Sequence, residues 1–313
     1  MEGGKKGKDG KNCLYDKASD YLKDVIESVR QDKTFSLRPG IQIIEEMIAL
    51  RSFDALFLKS VYYNNPDNFV VAHHVNVAVY AIKTAAYLRW SKDRQLEIGT
   101  AALLHDVGMG LIPDKLLFKK NRLSDIEFLV LKERSLFAYN ILNLFKDDYC
   151  YLAECALQVN ERFDGSGYPL GIQGDDINEH AQIIGLVDMY EALTHSRPHR
   201  EKFSHFSALN TIIKSGKNSF RKSYLKALLN IFSGFPIFSY VKLNSNAIGR
   251  VIETYPAQPL RPKIQIVSDP RNSRVTAKQI VDLQENPQLY IVDSVNEKEL
   301  RNLCSRKISQ KTM

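Results

Sequence analysis

Apolar residues recur at intervals of three and four along segments 14–30, 41–60, 69–90, 94–107, 124–145, 149–161, 179–194 and 206–215. That spacing lays an apolar stripe along each segment, so each reads as a helix, and together they predict a bundle around one core. Gly108, Pro113, the run DGSGYP at 164–169, Gly171, Gly174 and Pro198 fall where the periodicity lapses, as turn-forming residues should. Gly108 in particular reads as the stop of the helix before it. Near Gly234 the texture changes. FSYVKL, IGRVIET, KIQIVSD and LYIVDS are short, β-branched and separated by Pro, Asn and Asp, which is the pattern of strands. The expected fold is mainly α, a helical bundle with a small β-rich C-terminal appendage. Its predicted divisions are a basic tail and first helix at 1–34, a helical domain at 35–233 and a β-rich region at 234–313.

With 313 residues, 44% of them hydrophobic and 25% charged, the chain has ample material for a core and is neither a disordered nor a membrane composition. The opening MEGGKKGKDGKN carries lysines with no apolar run behind them, so it reads as neither a signal peptide nor an anchor, and the expected location is the cytoplasm, away from membranes. A net charge of +7 raises the question of nucleic acid. However, Lys5, Lys6, Lys8 and Lys11 cluster in the Gly-rich start, and the other basic residues alternate with Asp and Glu. That is a solvated surface, with no nucleic-acid-binding signature beside it. Cys13, Cys150, Cys155 and Cys304 form no CxxC pair, so neither a disulfide nor a zinc knuckle is expected.

Chemistry shows where polar residues interrupt apolar helices. His105 and Asp106 end the run AALLHDVG, Asp188 sits inside IIGLVDMYEAL, and His73 and His74 stand among Val and Ala in VVAHHVNVAVYAI. Burying an ionised carboxylate costs several kcal/mol unless a cation or good donors meet it. One divalent ion held by imidazoles and carboxylates would satisfy these residues together, and mixed N/O ligation suits Mn, Fe, Co, Ni or Zn. Metal-free His–Asp hydrogen bonds would satisfy them too.

At these residues the sequence resembles the HD superfamily and, more narrowly, HD-GYP proteins. LLHDVGMGLIPDKLL is similar to the family's His-Asp helix and its Ile-Pro-Asp loop, ERFDGSGYP to its signature, and VDMYEALTHSRPHR follows in the expected order. HHVNVA supplies the first His, with the family spacing pointing to His73 rather than His74. The segment from FPIFSYVKL to QIVSD is similar to a small β-rich tail of the family, so the likeness covers most of 60–295. The resemblance implies an HD-type helical bundle acting as a metal-dependent phosphodiesterase on cyclic di-GMP. It also implies a metal quartet of His73, His105, Asp106 and Asp188.

The sequence departs from the family at the ligands of a second ion. Where the family carries a third His stands Arg134, and where it carries two adjacent His stand Val159 and Asn160. The family's Glu one turn before the first His is Phe69, and the Lys after Asp-x-Gly is Met109. The expectation is therefore a single divalent ion. Asp106 and Arg134 are the candidate catalytic pair, with Arg134 offering a guanidinium near the place of the lost cation or else simply neutralising Asp106. Arg162, Gly167, Tyr168 and Pro169 are candidates for contacts to cyclic di-GMP or a related phosphate ester, or to a diguanylate-cyclase domain. His180, His195, His199 and His205 read as surface residues. Two functional classes follow: a one-metal hydrolase with weak or no diester cleavage, and a silent nucleotide-binding or partner-docking module.

Overall fold

The computed structural model describes residues 9–51, 53–62, 69–197, 200, 202–215, 218–232, 235, 237–255, 258, 260–268 and 279–295. They form two compact units. The first joins Met1–Lys202 to Ser215–Ala227, and the second joins Phe203–Lys214 to Leu228–Met313. The fold is mainly α with a small antiparallel sheet.

In the first unit α1 (Asp9–Arg30), α2 (Arg38–Ala49), α3 (Phe53–Tyr62), α4 (Phe69–Tyr87) and α5 (Lys92–Leu104) precede a 3-10 turn at Val107–Leu111. Then come α6 (Asp114–Leu117), α7 (Asp125–Lys132), α8 (Arg134–Leu142), α9 (Lys146–Gln158) and α10 (Glu179–Thr194). The core is built around α4. Its sequence FVVAHHVNVAVYAIKTAAY is apolar on nearly every face, and a helix without a polar side has to be surrounded. Here α1, α3, α5 and α10 surround it. The helix starts follow local chemistry: Ser91 accepts from the Arg94 amide, Ser124 and Glu127 form a capping box, and Asn178 accepts from the His180 and Ala181 amides.

Several predicted elements are interrupted. The segment 41–60 is two helices, because Leu50 takes an extended conformation (ψ 116°). The segment 124–145 breaks at Glu133, where the Arg134 side chain reaches back and donates from Nη1 to the Leu131 carbonyl at 3.1 Å, an acceptor shared with the Glu133 amide. The helix 94–107 ends at Leu104, so Gly108 does not stop it. Gly108 instead permits close packing of the 3-10 turn on α8. A Cβ there would stand 2.1 Å from the Arg134 carbonyl oxygen and 2.7 Å from the Ala138 nitrogen.

The second unit contains α11 (His205–Ser215) for most of its length and a sheet of order β4-β3-β2-β1-β5. The strands are β1 (Tyr240–Leu243), β2 (Ile248–Glu253), β3 (Lys263–Ser268), β4 (Ile280–Asp282) and β5 (Ile291–Val295), all paired antiparallel. Val241, Leu243, Val251, Ile264, Ile266 and Ile291 alternate inward onto Phe235 and Leu283. Besides the four-residue α6, two elements escaped the periodicity reading, β4 and α12 (Lys222–Ile231). The first is only three residues long, and the second follows directly on the turn at 218–220. Gly234, where the texture changes, and the tail lysines 5, 6 and 8 lie outside the described residues, while Lys11 falls within α1.

Gly108→Ala should lower stability by about 1–3 kcal/mol or prevent folding, because backbone atoms cannot yield to the new methyl. Gly110→Ala, whose new methyl would meet the Val29 side chain at 3.1 Å and the Ile26 carbonyl oxygen only at 3.4 Å, should cost clearly less. Thermal melts of the two variants beside the wild type test the contrast.

Candidate metal centre

Three core helices deliver the charged groups. His73 comes from the buried middle of α4, His105 and Asp106 from the end of α5, and Asp188 from α10. Donor atoms of His73, His105 and Asp106 lie within 4.8 Å of one another, all three residues being buried. Asp188 closes the group, its Oδ1 lying 3.0 Å from His73 Nε2 and 3.8 Å from His105 Nε2. Burial disfavours ionisation of both carboxylates, yet both sit below the usual range. Asp188 is held far down by His105 and His73, and Asp106 is held down by Arg134 with the histidines. The cluster offers two oxygen and two nitrogen donors in a water-poor site, a donor set that fits a first-row divalent ion.

Behind this group stands a partner that the sequence reading passed over. Glu191, on the same helix as Asp188, accepts from His73 Nδ1 at 2.5 Å and fixes its ring so that Nε2 faces inward. Glu191 is itself held by Asn76 Nδ2 at 3.1 Å and Arg197 Nη2 at 3.2 Å, and Tyr15 donates to Asn76 Oδ1 at 2.7 Å. A carboxylate behind a ligating imidazole sets its tautomer and raises its basicity. Burial alone would lower the His73 pKa, but Glu191 and Asp188 outweigh it and lift it to about 9. The signal was present, since a carboxylate inside the apolar run IIGLVDMYEAL is what singled out Asp188.

His195 is corrected from a surface residue to a buried one, 7% exposed. It closes the end of α10, with Nε2 donating to the Ser60 carbonyl at 3.1 Å and Nδ1 lying 3.4 Å from Glu191 Oε1. Its loop-like neighbourhood in the sequence hid that contact. His180 is likewise half-buried, against Glu97 at 3.3 Å and the Trp90 ring. His205 is partly exposed, and His199 lies outside the described residues.

Four of the five positions that depart from the ligand pattern fall into two clusters. Arg134 Nε donates to Asp106 Oδ2 at 2.9 Å and Nη2 to Asn160 Oδ1 at 3.3 Å, while Asn160 Nδ2 donates to Ser135 Oγ at 3.0 Å. Phe69 and Met109 pack into one buried cluster with Ile112 and Leu117. Val159 is buried, and its carbonyl lies where a Cβ on Gly185 of α10 would stand, 2.3 Å away.

The DGSGYP loop is fastened to the end of α9. Glu161 accepts from the Leu170 amide at 2.6 Å and the Gly171 amide at 3.1 Å, and the Tyr168 amide donates to the Asn160 carbonyl at 3.2 Å. Gly167 rides so close that a Cβ would stand 2.3 Å from Glu161 Cα. Tyr168 lies beside the Arg134 guanidinium and under Lys132 Nζ, 4.7 Å from its ring centre, while Pro169 is exposed. Arg162 stacks over Phe220 with Nη1 donating to the Val159 and Glu161 carbonyls at 3.3 and 2.8 Å, and it lies within electrostatic reach of Asp188 and Tyr168.

Residues 42–221 match the HD domain. The chain belongs to the HD-domain family. Residues 240–303 match a KOW domain associated with the HD domain. Among curated relatives, the chain is 26% identical to the cyclic di-GMP phosphodiesterase PdeB of Borreliella burgdorferi over 73% of its own length and 58% of that protein. It is 25% identical to the cyclic di-GMP phosphodiesterase PA4108 of Pseudomonas aeruginosa over 86% of its own length and 65% of that protein. It therefore spans less than two thirds of either relative. Bd1817, an HDGYP protein of Bdellovibrio bacteriovorus, shares the fold with TM-score 0.61 and 16% identity over 73% of this chain and 74% of that one. Among the described residues no helix is long and apolar enough to cross a membrane.

If Glu191 orients His73 in this HD domain, Glu191→Gln should weaken divalent-metal affinity by about 10–100-fold while leaving the fold intact. Chelator competition with Co2+ or Mn2+ measures it, and unchanged affinity would refute the orienting role.

Proposed function

We propose that this chain is an HD-GYP-type protein with a single metal site, recognising cyclic di-GMP or a related cyclic dinucleotide and cleaving it weakly or not at all. The observation that carries the reading is the Arg134–Asp106 ion pair at 2.9 Å. A carboxylate that bridges two cations needs both oxygens, and here one oxygen already holds a guanidinium. His73, His105, Asp106 Oδ1 and Asp188 would hold one divalent ion of the Mn, Fe, Co, Ni or Zn class. When bound, that ion would acidify a water and polarise a phosphoryl oxygen, but a single ion does not clamp the attacking and leaving oxygens together. Asp106 and Asp188 orient whatever enters, and the buried surroundings keep the charges strong.

Arg134 supplies a fixed positive charge beside Asp106, and the nitrogens that make its bonds to Asp106, Leu131 and Asn160 are committed to the protein. This favours neutralisation of Asp106 over phosphate binding as its chief role. The names of the relatives, phosphodiesterases for cyclic di-GMP and for 3'3'-cGAMP, support a cyclic dinucleotide as ligand. A second reading, docking of a diguanylate-cyclase domain on the DGSGYP loop, is favoured by the exposed tip at Pro169 and Leu170.

Elemental analysis after purification with Mn or Fe should give one ion per chain, and His73→Ala or Asp188→Ala should abolish it. A ratio of two would overturn the single-site reading. Turnover of cyclic di-GMP should fall at least about 10²–10³-fold below that of a two-metal relative, the typical effect of losing one transition-state contact. Combining Arg134→His, Val159→His and Asn160→His should add a second ion and raise turnover.

Binding should survive the loss of turnover, because contacts to phosphates and bases do not require the second ion. Titration calorimetry with cyclic di-GMP should detect binding to the wild type and a loss of about 1.5–3 kcal/mol in Arg162→Ala if that guanidinium turns to a phosphate. No binding at all, with or without metal, would leave loop docking, for which recovery of a diguanylate-cyclase domain by wild type and by Tyr168→Ala is the measurement.

A further inference from the structure

Three imidazole rings lie together beside Asp106. The ring centres stand 5.4 Å apart for His73 and His105, 5.3 Å for His74 and His105, and 5.7 Å for His73 and His74. A ring bound to a metal through nitrogen at about 2.1 Å has its centre about 3.2 Å from the ion, so two such rings at the tetrahedral angle stand about 5.2 Å apart. All three separations lie close to that value.

The wiring of the rings points the same way. Each Nδ1 is turned outward onto a fixed acceptor: His73 onto Glu191 at 2.5 Å, His74 onto the Val70 carbonyl at 2.8 Å and His105 onto the Ala102 carbonyl at 2.8 Å. A ring nitrogen that donates to a carbonyl carries the proton, which leaves the lone pair on Nε2. For His74 and His105 that Nε2 is buried and has no hydrogen-bond partner. A buried polar atom without a partner is costly, and a histidine kept only for packing would not hold one. His74 is 0% exposed, so water does not meet its lone pair either.

We propose that His74 is a third imidazole ligand of the single ion, which gives the centre three nitrogen donors from His73, His74 and His105 beside Asp106 and Asp188. The proposal rests on the one-ion reading of this site and extends it. A set richer in imidazole shifts preference further from Mg2+ and Ca2+ toward first-row transition ions.

The test uses the full chain, stripped with chelator and loaded with Co2+, whose visible absorption reports the donor set. Wild type should bind one Co2+. His74→Ala and His74→Gln should weaken Co2+ affinity by more than about 100-fold, since losing an orienting partner alone costs about 10–100-fold, and should change the intensity of the visible band. Added imidazole should restore the band in His74→Ala. Melting of the metal-free proteins checks folding, and if His74→Ala fails to fold, His74→Gln decides. One Co2+ in the wild type with affinity and spectrum unchanged in the folded His74 variant overturns the ligand role and leaves the one-ion reading standing. No Co2+ bound by the wild type overturns both.

Discussion

Asp106 is 6% exposed at the end of a helix whose last turn is wholly buried, and a charge in that position has to be met by other charges. Its two oxygens face different answers. Arg134 Nε holds Oδ2 at 2.9 Å, leaving Oδ1 for the imidazole cluster. Arg134 is in turn tied to Leu131 and Asn160, so the same residue that neutralises Asp106 also holds the end of α7. Gly108 has to be glycine for the same reason, because α8 must come within backbone contact of the turn that carries Asp106. The ion pair and the close approach are one arrangement. Breaking such a pair from one side leaves a buried charge alone, which is far costlier than never having built it.

The departures from the HD-GYP ligand pattern are organised in the same way. A buried imidazole deprived of its ion would need new partners. Arg134 and Asn160 avoid that by bonding to each other and to Asp106 and Ser135, and Phe69 and Met109 by joining an apolar cluster. One group of changes is polar and self-satisfied, and the other is apolar and closely packed. Both leave these buried positions satisfied from within the bundle.

How far this was legible in the sequence depends on the range of the interaction. The helices α4 and α10 follow their apolar periodicity, α10 to the residue, because burial on several faces leaves no competing pattern. His73, His105, Asp106 and Asp188 stood out as polar residues in those apolar runs, and they do meet. The breaks at Leu50 and Glu133 were not legible, since each falls at a single residue within an unbroken apolar pattern. The burial of His195 was hidden because its acceptor, the Ser60 carbonyl, lies 135 positions away. Glu191 was legible by the rule that found Asp188, but its role depends on which nitrogen of His73 it faces, and that is a three-dimensional fact.

The wiring of the centre also settles how much of the chain the site uses. From His73 the hydrogen bonds run to Glu191, from Glu191 to Asn76, and from Asn76 to the hydroxyl of Tyr15. Tyr15 belongs to α1, a helix that precedes the matched residues 42–221. It is completely buried, and α1 packs on both α4 and the turn at Val107–Leu111. Without α1 the Asn76 carbonyl oxygen would lose its donor, and the amide would be free to rotate away from Glu191. The ring of His73 would then lose part of what fixes its orientation. A helix that reads from the sequence as a separate leading segment is thus structurally part of the candidate metal centre, three hydrogen bonds from His73.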